Sequence, residues 1–286
     1  MPNFKHILFP VDFSQQCCNV APYVLCMARR YGALVTMLHV MELPTGAYPG
    51  WPAQAAVIDF EAMAEDRKKR LDSYLKNEFA EVAQTRLMRE GDPAHMITEY
   101  AQKEHVDLVM MPTHGYGPFR RFLLGSVTAK VLHDVHAPVW TAAHAEKQHA
   151  APMPRKILCA LDGSDKSPAL ARWAFEFSRE FGASLQLLHV VRTVSDWLGL
   201  ESEQALQEEL RAESRQRIER KLESAGLQLP LRVAVGEIVD AITEEARQES
   251  ADLVVLGRGA AHETLGRLRT HAHGIIQRSP CPVVSV

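Results

Sequence analysis

Short apolar runs alternate with longer stretches of mixed polarity along the whole chain. The first run, Ile7-Leu8-Phe9-Pro10-Val11, is strand-like, and Ser14 is placed to cap a helix that ends near Gly32. Leu34 to Val40 forms a second β-rich run. A loop with Pro44, Pro49 and Pro52 then leads to a long helical stretch over about 54–83. A short strand near 85–89 stops at Gly91-Asp92-Pro93, where Asp92 can cap a helix that has proline at its first position. A strand at Leu108–Met111, a loop and helix near 120–135, and a strand at Val139–Ala142 complete the set. Nearly continuous apolar strands separated by helices predict a parallel sheet covered on both faces.

The same set then recurs. KHILFPVDFS at 5–14 matches RKILCALDGS at 155–164, so Asp12 and Asp162 lie 150 residues apart. That offset also links Gly32-Ala33 to Gly182-Ala183, and Leu38-His39-Val40 to Leu188-His189-Val190. Further on, Gly91 pairs with Gly236 and Val106–Val109 with Ala251–Val254, and near the ends Ala137-Pro138-Val139 pairs with Cys281-Pro282-Val283. Ordered matches with small changes of offset mean a duplicated domain. The stretch 144–154, HAEKQHAAPMP, has no apolar periodicity and reads as a linker. The expectation is therefore two tandem doubly wound α/β domains, 1–143 and 155–286. Each is a five-stranded parallel sheet in the order 3-2-1-4-5 with helices on both faces. Each half ends in a short apolar strand, Pro138–Ala142 or Pro282–Val286. An unpaired apolar edge is a liability, so the two are expected to pair antiparallel and hold the halves as a pseudo-dimer. Further homodimerisation is not visible in the pattern.

Composition narrows the function. In 286 residues, 47% are apolar and 23% charged, and 32 basic against 35 acidic residues give a formal charge of −3. That balance carries no basic footprint for nucleic acid. No window approaches a membrane span, and the start lacks the long apolar core of a signal peptide. Five cysteines fit neither a disulfide framework nor a metal clamp. A reduced, cytoplasmic protein is the expectation.

In open α/β sheets, ligands bind beyond the carboxyl ends of the strands, where strand order reverses. The loops there are Pro10-Val11-Asp12-Phe13-Ser14 after strand 1 and Met111-Pro112-Thr113-His114-Gly115-Tyr116-Gly117-Pro118 after strand 4. Nine residues beyond Gly115 stands Gly125-Ser126-Val127-Thr128. Glycine lets backbone amides approach an anion, and a helix N-terminus adds its positive dipole end. Turn and cap duty would account for the same glycines.

These residues resemble the universal stress protein family, in its tandem form, over both halves. Nucleotide-binding members have Gly, two residues, Gly, nine residues, then Gly-Ser or Gly-Thr after strand 4. Gly115 and Gly125-Ser126 match, while Pro112 stands where the first Gly belongs. The strand 1 signature is present as Pro10, Asp12 and Ser14, and Leu-His-Val ends strand 2 in both halves. The resemblance implies ATP as ligand, with or without Mg²⁺. Asp12 and the backbone near Pro10 would meet ribose and adenine, Val40 would present its main chain to the adenine edge, and Met111 would pack on the nucleoside. Thr113, His114 and Gly115 would wrap the phosphates, with Gly125, Ser126, Val127 and Thr128 closing the far side. Proline has no N–H, so Pro112 removes one amide contact.

The second half departs further. Gly257 is kept, but Ala260 replaces the second glycine and Thr270-His271 replace Gly-Ser. Asp162 and Val190 remain, so a nucleoside-shaped pocket without a phosphate cradle is expected, and no ATP. Arg258, Arg267, Arg269 and His271 are either side-chain anion ligands or surface charges.

Other features read as structural. His133 and His136, or His271 and His273 with Cys281, lack a third ligand at metal spacing. His39 and His189 end strands at the switch point and suit packing or hydrogen bonding beneath the pocket. Arg67–Arg70 is a basic run on a polar helix, a solvated face. The loop 42–57, with Tyr48 and Trp51, is placed either to lid the site or to pack on the surface. No Walker loop, nucleophile elbow or His-Glu-x-x-His is present. That favours a nucleotide-binding stress-response regulator over an enzyme, with a slow ATPase or a scaffold with decayed sites as alternatives.

Overall fold

A computed structural model describes residues 2–42, 60–115, 124–142, 153–193, 200–258 and 267–286. The first half runs β1 His6–Pro10, α1 Gln15–Tyr31, β2 Leu34–Met41, α2 Phe60–Ser73, β3 Gln84–Glu90, α3 Pro93–Lys103, β4 Leu108–Pro112, α4 Ser126–Asp134 and β5 Val139–Ala142. The second runs β6 Lys156–Leu161, α5 Ser167–Phe181, β7 Ser184–Val191, α6 Leu200–Ser224, β8 Leu231–Val235, α7 Ile238–Gln248, β9 Leu253–Leu256, α8 Arg267–Arg278 and β10 Val283–Ser285. The strands form one ten-stranded sheet in the order β3-β2-β1-β4-β5-β10-β9-β6-β7-β8. Each half is thus 3-2-1-4-5, parallel within itself. The halves meet where β5 and β10 run antiparallel, with Trp140 opposite Val284.

Local chemistry sets the element ends. The Ser14 hydroxyl accepts from the Cys17 amide at 3.3 Å, and Gly32 ends α1 at φ +60°, a left-handed cap that costs glycine little. Gly182 repeats that cap at φ +63°. Asp92 accepts from the His95 amide and Pro93 opens α3. The helix expected over about 54–83 is shorter in the structure. Residues 43–59 are outside the described segments, and α2 stops at Ser73, followed by turns. There Leu75 takes a positive φ of 49°, and the Arg86 guanidinium donates to the carbonyls of Leu71 and Tyr74 at 2.5 and 2.6 Å. The Leu71 carbonyl also accepts the Tyr74 amide at 3.2 Å, and the guanidinium takes the place of another helical turn as partner of these end carbonyls. The helix expected near 120–135 begins at Ser126, with Gly125 as N-cap.

Two apolar layers flank the sheet. One, beneath α1, α2, α5 and α6, runs through both halves and includes Phe9, Trp140 and Phe177. The other, beneath α3, α4, α7 and α8, includes Ile97, Val131, Ile242 and Ile275. At the junction Phe4 lies 6.4 Å from both Trp173 and Phe177, and Trp140 lies 6.4 Å from Phe177. Aromatic pairs at such spacing add to the burial term.

Candidate functional site

The strand 1 loop is built by the same turn in both halves. Asp12 Oδ1 accepts the Ser14 amide at 2.9 Å, and Asp162 Oδ1 accepts the Ser164 amide at 2.9 Å. Such side-chain-to-backbone closure is an Asx turn. A second bond fixes each carboxylate: the Cys17 thiol donates to Asp12 Oδ1 at 3.1 Å, and the Ser167 hydroxyl donates to Asp162 Oδ1 at 3.0 Å. Burial, with Asp12 next to it, holds the Cys17 thiol well above its ordinary pKa, so it stays protonated. His39 and His189 sit behind these loops, each with Nδ1 2.8 Å from a carbonyl, Val11 or Leu161. Nδ1–H is the donor, so the ring ties strand 2 to the strand 1 loop.

The first-half cavity, about 310 Å³, is lined by Pro10, Asp12, Val40, Met111, His114 and Gly115, and by Gly125 through Thr128. Pro112 lines it as well. Thr113 does not: it is buried, with Oγ1 3.0 Å from Nδ1 of the buried His114. Tyr116, Gly117 and Pro118 lie outside the described segments, with the rest of 116–123. The closest approach is at Gly115. A Cβ there would stand 2.2 Å from Asp12 Oδ2, a clash that real side chains avoid, so only glycine lets the two loops meet.

The start of α4 makes the opposite wall. Gly125 donates its amide to the Thr113 carbonyl at 2.8 Å, and Thr128 Oγ1 donates to the Pro112 carbonyl at 3.1 Å. Both groups are spent on holding the helix against β4. The first bond within the helix runs from Ala129 to Gly125, so the amides of 126–128 have no partner inside the helix. Together with the exposed Ser126 hydroxyl they form the polar end of the cavity, at the positive end of the helix dipole.

The second-half cavity is larger, about 780 Å³. Asp162, His189, Val190, Gly257, Arg258 and His271 are among its lining residues. Ala260 lies outside the described segments, and the side chains of Arg267, Arg269 and Thr270 are not described. Arg258 departs from both sequence readings. Its guanidinium is neither a surface charge nor an open anion ligand. It donates to the carbonyl of Val135 and to those of His136 and Ala137, the latter two at 2.8 and 2.6 Å. Burial lowers its pKa to about 10, and it remains a cation at neutral pH.

The remaining polar candidates fall into place locally. His133 Nδ1 contacts the Asp134 carboxylate beside it. Among the described residues no three His, Cys, Asp or Glu side chains are grouped to hold a metal. Arg70 lies 4.6 Å over the Phe13 ring, so the basic run of α2 is partly tied down, while Lys69 reaches Glu65 at 3.7 Å on the exposed face. The loop 42–57 lies outside the described residues from 43 onward. Sequence reasoning passed over Cys17, Glu42, Pro93 and Ile97 on the first cavity's wall. Cys17 had one signal, its place five residues past Asp12 in the capping turn.

Duplicated doubly wound sheets, each with a cavity at the switch point and an Asx turn on its first strand, define a tandem α/β protein with one candidate site in each half. The model of the universal stress protein family matches residues 3–142 and again 153–286. The chain belongs to that family. A universal stress protein of Methanocaldococcus jannaschii is 29% identical over 148 residues, 51% of this chain and 85% of the relative. One from Thermus aquaticus is 31% identical over 139 residues, covering 48% and 96%. The crystal structure of a universal stress protein from Archaeoglobus fulgidus matches 98% of this chain and 95% of its own at TM-score 0.68 and 23% identity, a likeness of fold. No helix among the described residues is long and apolar enough to cross a membrane.

Proposed function

We propose that the first half binds an adenine nucleotide, ATP with or without Mg²⁺, and that the chain acts in the cytoplasm as a non-catalytic nucleotide-responsive regulator. The observation that carries this reading is the convergence on one cavity. Asp12 in the strand 1 loop, Val40 at the end of β2, Met111 and Gly115 at the end of β4 and just after it, and Gly125–Thr128 at the start of α4 line the same space. In this reading Asp12 meets the ribose, Val40 and Met111 flank the base, and the phosphates lie at the start of α4. The Asp12–Gly115 approach, which a Cβ would fill, fits a cradle shaped for close backbone contact. We take 1–143 and 155–286 as the two domains and 144–154 as the linker. The antiparallel β5–β10 pairing and the aromatic junction support a pseudo-dimer within one chain.

Titration calorimetry with ATP tests it. One site per chain is expected, and Gly125→Glu, which puts bulk and negative charge at the start of α4, is expected to abolish the heat. Absence of binding in the wild type would favour the second reading, a scaffold whose site has decayed. Two observations favour that alternative: Pro112 lacks an amide, and the Gly125 amide is already spent on Thr113. Mass spectrometry of ligands released from protein purified without added nucleotide distinguishes the two, since recovered ATP removes the scaffold reading.

A further inference from the structure

The second cavity is the larger one, about 780 Å³ against 310 Å³, and differs in kind. Its volume lies in the range of small-molecule sites, roughly 300–1,000 Å³. Two differences between the halves bear on its shape. Phe13 and Gly163 share the left-handed backbone, φ +63° and +77°, but only Phe13 carries a ring, packed 4.3 Å from His39 and 5.3 Å from Tyr74. At Gly163 the position a Cβ would take lies 3.4 Å from Arg217 Nη2, 3.4 Å from His189 Cε1 and 3.6 Å from Ile218 Cδ1, all in ordinary contact range. Gly257 stands where the first half has Pro112, and a Cβ there would meet only the Leu170 side-chain end at 3.3 Å. The space therefore continues along α5 to Leu170 and Trp173, and on the other flank to Ile242 and Ile275.

The walls are apolar and the rim is cationic. Lys166 and Arg217 both line the opening, and among the described residues neither side-chain cation has an ion pair. Among the described lining residues the one side-chain carboxylate, Asp162, already accepts from Ser164 and Ser167, and the main-chain oxygen of Val286 accepts from the Arg258 amide at 3.0 Å. His271 lines the wall, with Nε2 3.2 Å from Arg192 Nη2 and Nδ1 buried without a partner among the described residues. An apolar chamber with unpaired cations at its mouth suits a ligand with an apolar body and one negative group.

We propose that the second half is a binding site for a compact organic anion with an aromatic or branched apolar frame. Arg217 takes the anionic group, and the frame lies between Trp173 and Ile242. The Gly163 position, occupied by phenylalanine in the first half, decides which half has this site. The proposal is independent of nucleotide binding in the first half.

The probe is anilinonaphthalene sulfonate, with native fold monitored by circular dichroism. Saturable dye binding at one site per chain is expected, unaffected by Gly125→Glu. Gly163→Phe, which installs the residue that Phe13 shows this backbone accepts, is expected to abolish it. Arg217→Ala, an exposed helix position that leaves the fold intact, is expected to weaken it about tenfold, the worth of one charged hydrogen bond, with partial rescue by Arg217→Lys. Naphthoate should displace the dye about tenfold better than the neutral naphthalene methanol. Dye binding unchanged in both Gly163→Phe and Arg217→Ala would overturn the proposal. Displacement by adenosine in preference to naphthoate would also overturn it, by making the site a nucleoside site.

Discussion

The two halves share a turn, a histidine strut and a sheet order, and differ in how tightly the loops close over the strand ends. In the first half Gly115 lies against Asp12 and the start of α4 is tied to β4 through Thr113 and Pro112. In the second half the residue aligned with Thr113 is Arg258, which reaches out of its own half to the end of α4. Duplication preserved the frame, while the loop positions diverged to leave one copy with a smaller, more polar cleft and the other with a wide apolar chamber. The frame rests on many small burial contributions, whereas each cavity depends on a few close approaches.

Arg258 is the sharpest asymmetry, and removing it should have the largest effect. Its guanidinium is the partner of three carbonyls at the end of α4, and Thr113 is too short to return the contact. Arg258→Met keeps volume but leaves those carbonyls unpaired at the junction. A loss of about 2–4 kcal/mol is expected in urea unfolding, from hydrogen bonds to a charged group and their desolvated acceptors. The exposed Arg29–Glu81 pair, at 3.1 Å, is the control, and Arg29→Met should cost about 0.5 kcal/mol or less. Equal losses would mean that Arg258 does not join the halves.

The next test sets one glycine against another. Gly115→Ala places a Cβ where Asp12 Oδ2 now stands, and the carboxylate is held by Ser14 and Cys17, so it cannot move without breaking those bonds. ATP affinity should fall about tenfold or more, one to two lost contacts. Gly257→Ala meets only a flexible leucine end and should leave ATP binding unchanged. If the second substitution, and not the first, reduces the heat of ATP binding, the halves have been assigned the wrong way round.

The fold was legible because its signals are local and repeated. Gly32 and Gly182, Asp12 and Asp162, and the Leu-His-Val strand ends mark the same points in both copies, and each acts through a bond within a few residues or across one strand pair. Asp12, Gly115 and Gly125 were legible as candidates from their motif. What the chain order hid is what depends on distance. Nothing near Arg258 shows that its partner is a helix end some 120 residues earlier, because the docking of the halves decides that contact. The end of α2 was misjudged for the same reason, since Arg86 on β3 supplies a partner for its carbonyls. The size of the second cavity was hidden too, because residues of α5, α6, α7 and α8 far apart in the chain line it together.

The histidine struts are the part the halves share, and they predict a shared pH response. Burial lowers the pKa of both His39 and His189 from 6.5, against the opposing pull of the carbonyl each ring donates to. Arg67 and Arg70 add to the lowering at His39, and Arg217 at His189, while Asp12 and Asp162 oppose it. A histidine that resists protonation when folded takes up its proton preferentially when unfolded. Stability is therefore full above about pH 6.5 and falls as the pH drops below that, until the folded rings protonate. Replacing either histidine by glutamine, which can still donate to the carbonyl, should flatten that fall in urea titrations. A flattening confined to one variant would mean that the two struts are not equivalent.

The smallest effect decides between a working and a decayed first site. Pro112 aligns with Gly257 and closes β4 opposite Ala142, where it supplies a carbonyl to Thr128 but no amide to the cavity it lines. Pro112→Ala restores the N–H and keeps the carbonyl, and its Cβ replaces one the proline ring already carried, so no new bulk enters. If ATP occupies the cleft with its phosphates near this strand end, one added neutral hydrogen bond is worth about 0.5–1.5 kcal/mol, a gain of roughly two- to twelvefold in affinity. Calorimetry on the variant and the parent reads that difference directly. A nucleotide that binds both proteins equally would sit away from β4, and its phosphates would have to be held by the amides of 126–128 alone. A variant that binds where the parent does not would show that proline at this one position had closed the first half to nucleotide.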